Sequence, residues 1–214
     1  MANFSIEPRN RVNRKPIRGH YDQATIYQII DQTKICHVGF VSDGQPFVIP
    51  TLHARQEDRL LLHGAVNSRL IQHIMAGNEI CINMVILDAF VLAKTVLNHS
   101  VNYRSVVIFG KGYEVAEESD KMAALECLTE HLTPGRWRDA RKPTPAEMAT
   151  TAVVAIELVA ASAKIRSGPP MDDGDDQNLN VWAGLLPIRQ TVGQPEPASY
   201  CGESNDVPVY LENY

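Results

Sequence analysis

Arg69 directly follows Asn67-Ser68 in the run LLLHGAVNSRLIQHIM, residues Leu60 to Met75. Leu70, Ile71, Ile74 and Met75 fall on one stripe of a helix. Asn67 or Ser68 is placed to cap that helix and Gly77 to end it. The first turn then holds Arg69 and no acid, the wrong sign for a helix dipole, which favours anions there. A bound anion would resolve the conflict, because N–H groups, a serine hydroxyl and a guanidinium would converge on it. A solvated surface arginine is the commoner outcome of such a position, so other residues must decide.

A second cation stands in Tyr103-Arg104-Ser105-Val106-Val107-Ile108-Phe109-Gly110. Strand alternation puts Arg104 and Val106 on one face and Ser105 and Val107 on the other. An arginine entering so apolar a strand is costly unless it is paired or lies at an edge. A bound phosphate would pair it; a snorkelling edge arginine is an equal alternative. A third element, Ala163 to Pro170, carries Lys164 and Arg166 on one face of an extended segment and is followed by Val181-Trp182-Ala183-Gly184. The indole could stack on an aromatic ligand, or plug the core or a subunit interface.

Other chemistries lack their patterns. His53, His63 and His73 are spread over two strands and a helix, with neither HExxH nor paired zinc spacing, so no metal site is expected. The run Asp172-Asp173-Gly174-Asp175-Asp176 lacks the alternation and distant Glu of a calcium loop and reads as solvated. No GxSxG, P-loop or GxGxxG occurs.

The 214 residues suit one domain with extensions. With 44% hydrophobic and 21% charged residues the chain is globular. A net charge of −5 and a pI near 5.8 argue against general nucleic-acid binding, which needs a basic surface. Asp88 and Glu157 break the most apolar stretches, so no membrane span is expected, and the Arg-rich N-terminus has no apolar core of a secretory signal. Cys36, Cys81, Cys127 and Cys201 are scattered without pairing, which fits a reducing cytoplasm.

The elements that must position these residues follow from periodicity. A short helix is expected over 23–33, then strands over 34–42, closed by the hairpin dipeptide Asp43-Gly44, over 47–54 and over 59–63. The helix of 68–76 follows, then β-rich runs over 79–92 and 104–115, a helix over 119–132 and a strand over 150–159. Short antiparallel strands with few helices indicate a small barrel. The expected division is an arm over 1–20, a barrel domain over 21–166, and a Pro-rich extension over 167–214 that packs on the barrel or on a partner subunit.

In order and spacing, Pro46-Phe47-Val48-Ile49-Pro50, Leu62-His63-Gly64-Ala65, Ser68-Arg69, Tyr103–Val106 and Phe109-Gly110-Lys111 resemble the FMN-binding split-barrel proteins of the pyridoxamine 5′-phosphate oxidase-like superfamily. The pieces Ala163–Pro170 and Val181–Gly184 match the branch that includes the 5-nitroimidazole-resistance and flavin-nucleotide-binding proteins. The resemblance implies a mainly β fold, a six-stranded antiparallel split barrel with a few helices, forming a homodimer with FMN at the interface. It implies that Val48, Ile49, Pro50 and Thr51 run along the isoalloxazine ring, that His63 and Gly64 flank the flavin tail, and that Ser68 and Arg69 hold its phosphate. Arg104 and Ser105 would approach from the second long strand, Trp182 would pack near the ring, and Lys164 and Arg166 would line the cleft. Leu70 stands where the oxidase has a second phosphate-binding lysine, and the oxidase's C-terminal arginine–histidine signature is not evident. The implied activity is therefore that of a flavin reductase or nitroreductase-like enzyme, passing electrons from a nicotinamide donor to a small organic acceptor. His63 and His99 are the candidates for proton transfer. The alternative is a non-enzymatic dimer that holds flavin or haem as sensor or store, with His63 or His99 as the iron ligand.

Overall fold

The chain switches between two sheets at three tight corners, His53, Lys111 and Leu158–Val159, and once more through the helix that follows the fifth strand. A computed structural model describes residues 2–202 and 206–212. Its strands among those residues are β1 (Gly19–His20), β2 (Ile35–Ser42), β3 (Gln45–Leu52), β4 (Ala54–Gln56), β5 (Arg59–Ala65), β6 (Ile80–Leu92), β7 (Ser100–Gly110), β8 (Gly112–Glu114), β9 (Thr151–Glu157), β10 (Ala160–Arg166) and β11 (Gly184–Pro187). The helices are α1 (Gln23–Gln32), α2 (Arg69–Met75), α3 (Glu118–Leu132), α4 (Arg136–Asp139), α5 (Pro145–Thr150) and α6 (Val209–Glu212). The larger sheet runs β1-β10-β7-β6-β2-β3, with β11 added beside β6; the smaller runs β4-β5-β9-β8. Every pairing recorded between these strands is antiparallel. Among the described residues no hydrogen-bonded ladder joins the two sheets, so the β structure is not one closed barrel.

The first two corners explain two differences from the periodicity. The apolar run over 47–54 divides at His53 into β3 and β4, and that over 104–115 divides at Lys111 into β7 and β8. Each run reads as continuous because apolar residues stand on both sides of the corner: Phe47 and Ile49 pack on the main core and Ala54 in the second cluster, Val106 and Ile108 in the main core and Val115 in the second. Asp43 (φ 52°) and Gly44 (φ 75°) both take positive φ, as the two-residue hairpin between β2 and β3 requires.

The core lies between the sheets. Val38, Phe40, Ile82, Met84, Val106 and Ile108 face Leu60, Leu62, Val154 and Ile156, with Ile26, Ile29 and Ile30 of α1 and Ile71 and Ile74 of α2 closing the sides. Leu61, Val153 and Ala155 point the other way, into a second cluster with Ala124 and Leu128 of α3. The smaller sheet is therefore covered on both faces. That is why Leu60-Leu61-Leu62 and Ala152–Ile156 are unbroken apolar runs, whereas Cys36, Val38 and Phe40 of β2 alternate with outward-facing residues.

His53 locks its corner. It is 1% exposed, with Nε2 3.1 Å from the carbonyl oxygen of Ile30 at the end of α1. Its ring is 5.4 Å from that of His131, whose Nε2 lies 2.7 Å from the Thr33 carbonyl oxygen. Burial pushes the His53 imidazole down from 6.5 to about 4, and burial lowers His131 as well. Below pH 6.5 the unfolded chain takes up protons that the folded chain refuses, so stability falls with pH until about 4. For His53 the loss is at most about 3 kcal/mol. Urea unfolding across this range checks it: His53→Gln, which keeps a donor for Ile30, should flatten the slope. An unchanged slope would assign it to other groups.

Both ends of the chain are tied to this frame. Asn10, almost fully buried, donates from Nδ2 to Ala161 (3.2 Å) and Ser5 (2.9 Å) and accepts the Glu7 N–H at 2.7 Å. In the tail, the Ile188 N–H donates to the Asp88 carbonyl just past β11 at 2.9 Å. Tyr210 of α6 lies so close over Gly135 that a Cβ there would sit 3.1 Å from its ring.

Candidate cofactor-binding face

Ser68 caps α2, its Oγ accepting the Ile71 N–H at 3.3 Å. The bond uses an oxygen lone pair, so the hydroxyl proton stays available to a ligand. Gly64 lets the end of β5 approach this turn: a Cβ there would lie 3.2 Å from Ile71 Cγ1. Arg69 leaves the turn over Phe47, its guanidinium carbon 4.3 Å from the ring centroid. Among the described residues it has no carboxylate partner.

One turn on, His73 lies 4.7 Å from the Phe40 ring, and Phe40 stacks on Phe47 at 5.4 Å. His73 Nε2 is 3.3 Å from the Glu79 carbonyl oxygen. With Nε2–H donating there, Nδ1 carries the free lone pair, and a backbone acceptor behind the ring is what orients histidines that ligate metal. The residues Phe40, Phe47, Val48, His73, Ile80 and Phe109 line a cavity of about 580 Å³.

That cavity is one end of a trough along the outward face of β2, β3 and β6. It shares Gly39, Val48 and Cys81 with a central cavity of about 410 Å³, which shares His37 and Val85 with a third of about 710 Å³. Arg104 lines the far end. Its fork is already engaged: Nε and Nη2 donate to Asp88 at 3.1 and 2.8 Å, and Nη1 donates to Gln32. The Asp88 bond also raises its pKa. Arg104 pairs with Ile86 on β6, whereas the Arg69 end lies beside Ile80. Six residues of strand, roughly 20 Å, separate the two arginines along the trough.

The other expected residues are distributed as follows. Val48, Ile49, Pro50 and Thr51 lie on β3, the terminal strand of the larger sheet, so alternate backbone groups point away from β2 and are open to a ligand. Val48 is 69% exposed beside the trough. His63 pairs with Val153 and by alternation shares the α3-facing side of β5 with Leu61, across the strand from Gly64 and α2. Its Nδ1 is buried with no partner among the described residues, and burial lowers its pKa, so the ring is neutral at pH 7. His99 sits on an exposed turn with Nδ1 2.8 Å from the Thr95 carbonyl oxygen. Asp172 braces that turn, accepting the Lys94 and Thr95 N–H groups at 2.9 and 3.1 Å.

Ser105 donates to the Lys164 carbonyl at 3.2 Å, and both line a further cavity beneath the N-terminal arm, which meets the trough at Phe109. Arg166 is buried, with its guanidinium on Asn102 Oδ1 and the carbonyls of Gly168 and Pro169; burial, then nearby Arg18, lowers its pKa. It ties the turn after β10 to β7. Trp182 is 67% exposed and folds over Gly184, where a Cβ would come within 2.7 Å of the indole. The trough and His73 were not anticipated from sequence. The available signal was the i, i+4 spacing of Arg69 and His73. Among the described residues no three His, Cys, Asp or Glu side chains gather as a metal site.

A sequence profile of the pyridoxamine 5′-phosphate oxidase family matches residues 22–165, both sheets except β1 and β11. The chain belongs to that family. Among solved structures, this family member is similar over 97% of both chains to a flavocytochrome from Azotobacter vinelandii, with 34% identity and a TM-score of 0.92. It is also similar to a protein from Mycobacterium smegmatis described as binding FAD and haem: 26% identity over 92% of this chain and 96% of the other, TM-score 0.88. A candidate 5-nitroimidazole antibiotic resistance protein from Bacteroides thetaiotaomicron shares the fold, with 20% identity over 80% of this chain and 90% of the other and a TM-score of 0.59. No curated protein matches the sequence significantly.

Proposed function

We propose that this family member is a flavin-binding redox protein that also carries haem, with both groups on the outward trough. The observation that carries the reading is the likeness to the flavocytochrome over nearly the whole of both chains. The donor set of the trough fits it. At the α2 end, the free Ser68 hydroxyl proton and the uncompensated Arg69 suit a flavin phosphate, and the open edge of β3 supplies backbone groups for the ring along Val48–Thr51. The resemblance favours FMN; the name of the M. smegmatis protein favours FAD. The mass of the extracted flavin distinguishes them.

His73 is the ligand we assign to haem. It faces the aromatic end of the trough and has its second nitrogen at a backbone carbonyl. Bound flavin supplies two-electron chemistry with a nicotinamide donor, and haem one-electron chemistry. The protein's own part is to hold the phosphate, set the imidazole's orientation and keep water off the apolar wall. Val41, Val48, Val85 and Leu87 leave that wall exposed in one chain, and a second copy packed there as a homodimer would cover it.

The spectrum of the purified protein tests this: flavin bands with a Soret band are expected. His73→Ala should abolish the Soret band and leave the flavin bands. A flavin spectrum without haem would reduce the reading to a flavoprotein, and a colourless protein that binds neither group would overturn it.

A further inference from the structure

We propose that the cavity beneath the N-terminal arm, which meets the trough at Phe109, binds the phosphate group of a small anionic ligand. The arm is polar and carries Arg9 and Arg11. Asn10 anchors it over β10 through Ala161, which fixes where the flanking residues stand. Between residues 9–13 and the outward faces of β7 and β10 lies a cavity of about 290 Å³. That is at the lower end for a small-molecule site, too small for a flavin or haem.

The lining is one-sided in its chemistry. Ser162 of β10 lines it with a hydroxyl that solvent reaches and that no described residue hydrogen-bonds. Lys164 and Arg11 line the same space, and neither has a carboxylate partner among the described residues. Arg9 is already held, by Glu7 at 2.9 Å and Glu79 at 3.7 Å. No carboxylate lines the cavity. A hydroxyl and two cations converging from the sheet and the arm match a tetrahedral group with several acceptor oxygens. Val12, Val107 and Phe109 form an apolar wall, which suits a small organic group esterified to that phosphate.

The site does not rest on the cofactor reading. Thermal unfolding of the protein as purified, in inorganic phosphate, in glycerol 3-phosphate and in acetate at matched ionic strength, tests it. Saturable stabilisation by the two phosphates, absent in acetate, is expected. A larger effect of the ester would identify a phosphomonoester ligand, and equal effects inorganic phosphate. Ser162→Ala should fold with unchanged stability, since its hydroxyl bonds to no protein group, yet bind phosphate roughly 10-fold or more weakly. Lys164→Met should weaken binding similarly, while Arg69→Ala should keep the effect, which separates this cavity from the proposed flavin phosphate. Stabilisation that is absent, equal in acetate, or retained in full by both Ser162→Ala and Lys164→Met would overturn the proposal. The flavin spectrum is read on the same samples, so its loss or absence is scored independently.

Discussion

Arg69→Ala should purify folded and largely without flavin. Arg69 contributes nothing to the core: its side chain lies over Phe47, and no carboxylate among the described residues depends on it. Its removal therefore costs the fold only a stacking contact, worth about 0.5–1 kcal/mol at a site open to solvent. The ligand loses a charge-assisted bond worth about 1.5–3 kcal/mol, or roughly 10- to 150-fold in affinity. The effect should be large because Arg104, the other expected phosphate cation, is held by Asp88 far along the trough. Leu70 supplies no second cation either. Titrating FMN and FAD into the apoprotein, followed by flavin fluorescence, measures the change, and Arg69→Lys should recover part of it. Unaltered affinity in Arg69→Ala would place the phosphate elsewhere. Retention of the Soret band in the same variant would show that the haem assignment to His73 is independent of it.

Gly112→Ala should be among the most destabilising single-methyl additions in the chain, and it should weaken flavin binding from a distance. A Cβ at Gly112 would lie 2.5 Å from Ile74 Cγ2, 3.0 Å from the Ala155 carbonyl oxygen and 3.2 Å from Ile156 Cγ1. The carbonyl belongs to β9 and the Ile156 side chain to the core, so neither can retreat easily. Ile74 would have to move, and α2 with it. Overpacking of this kind costs about 1–3 kcal/mol, or roughly 3–10 °C in melting temperature for a chain of this size. Because Ser68 and Arg69 begin the displaced helix, flavin affinity should fall as well, though Gly112 touches no part of the trough. Gly77→Ala, at the end of α2 with nothing within 4 Å of its Cβ, is the control. Its φ of 71° adds backbone strain, so it should lose some stability without losing affinity. A Gly112→Ala variant as stable as the parent would mean that α2 is not wedged as described.

The local elements and the chemistry of the α2 turn are legible in the order of the residues. Ser68 as cap, the stripe of Leu70, Ile71 and Ile74, and the Asp43-Gly44 hairpin depend on interactions within a few residues, which local patterning records. The same locality made Arg69 legible as an uncompensated cation. The long-range pairings emerge only on folding. Both strand-like runs that change sheets, at His53 and Lys111, look uninterrupted because an apolar residue reads alike in either sheet. Arg104 and Asp88 are brought together by the pairing of β6 with β7, and no spacing rule relates residues sixteen apart. Lys164 and Arg166 share a face of β10, yet one opens on the cavity beneath the arm and the other is buried on Asn102 and the carbonyls of the following turn. Alternation assigns a side to each residue; what covers that side is settled by segments distant in the chain. The trough itself is the outward surface of β2, β3 and β6, assembled from side chains as far apart in the chain as His37 and Phe109. Only when the sheets are folded do Phe40, Phe47 and His73 meet beneath Arg69.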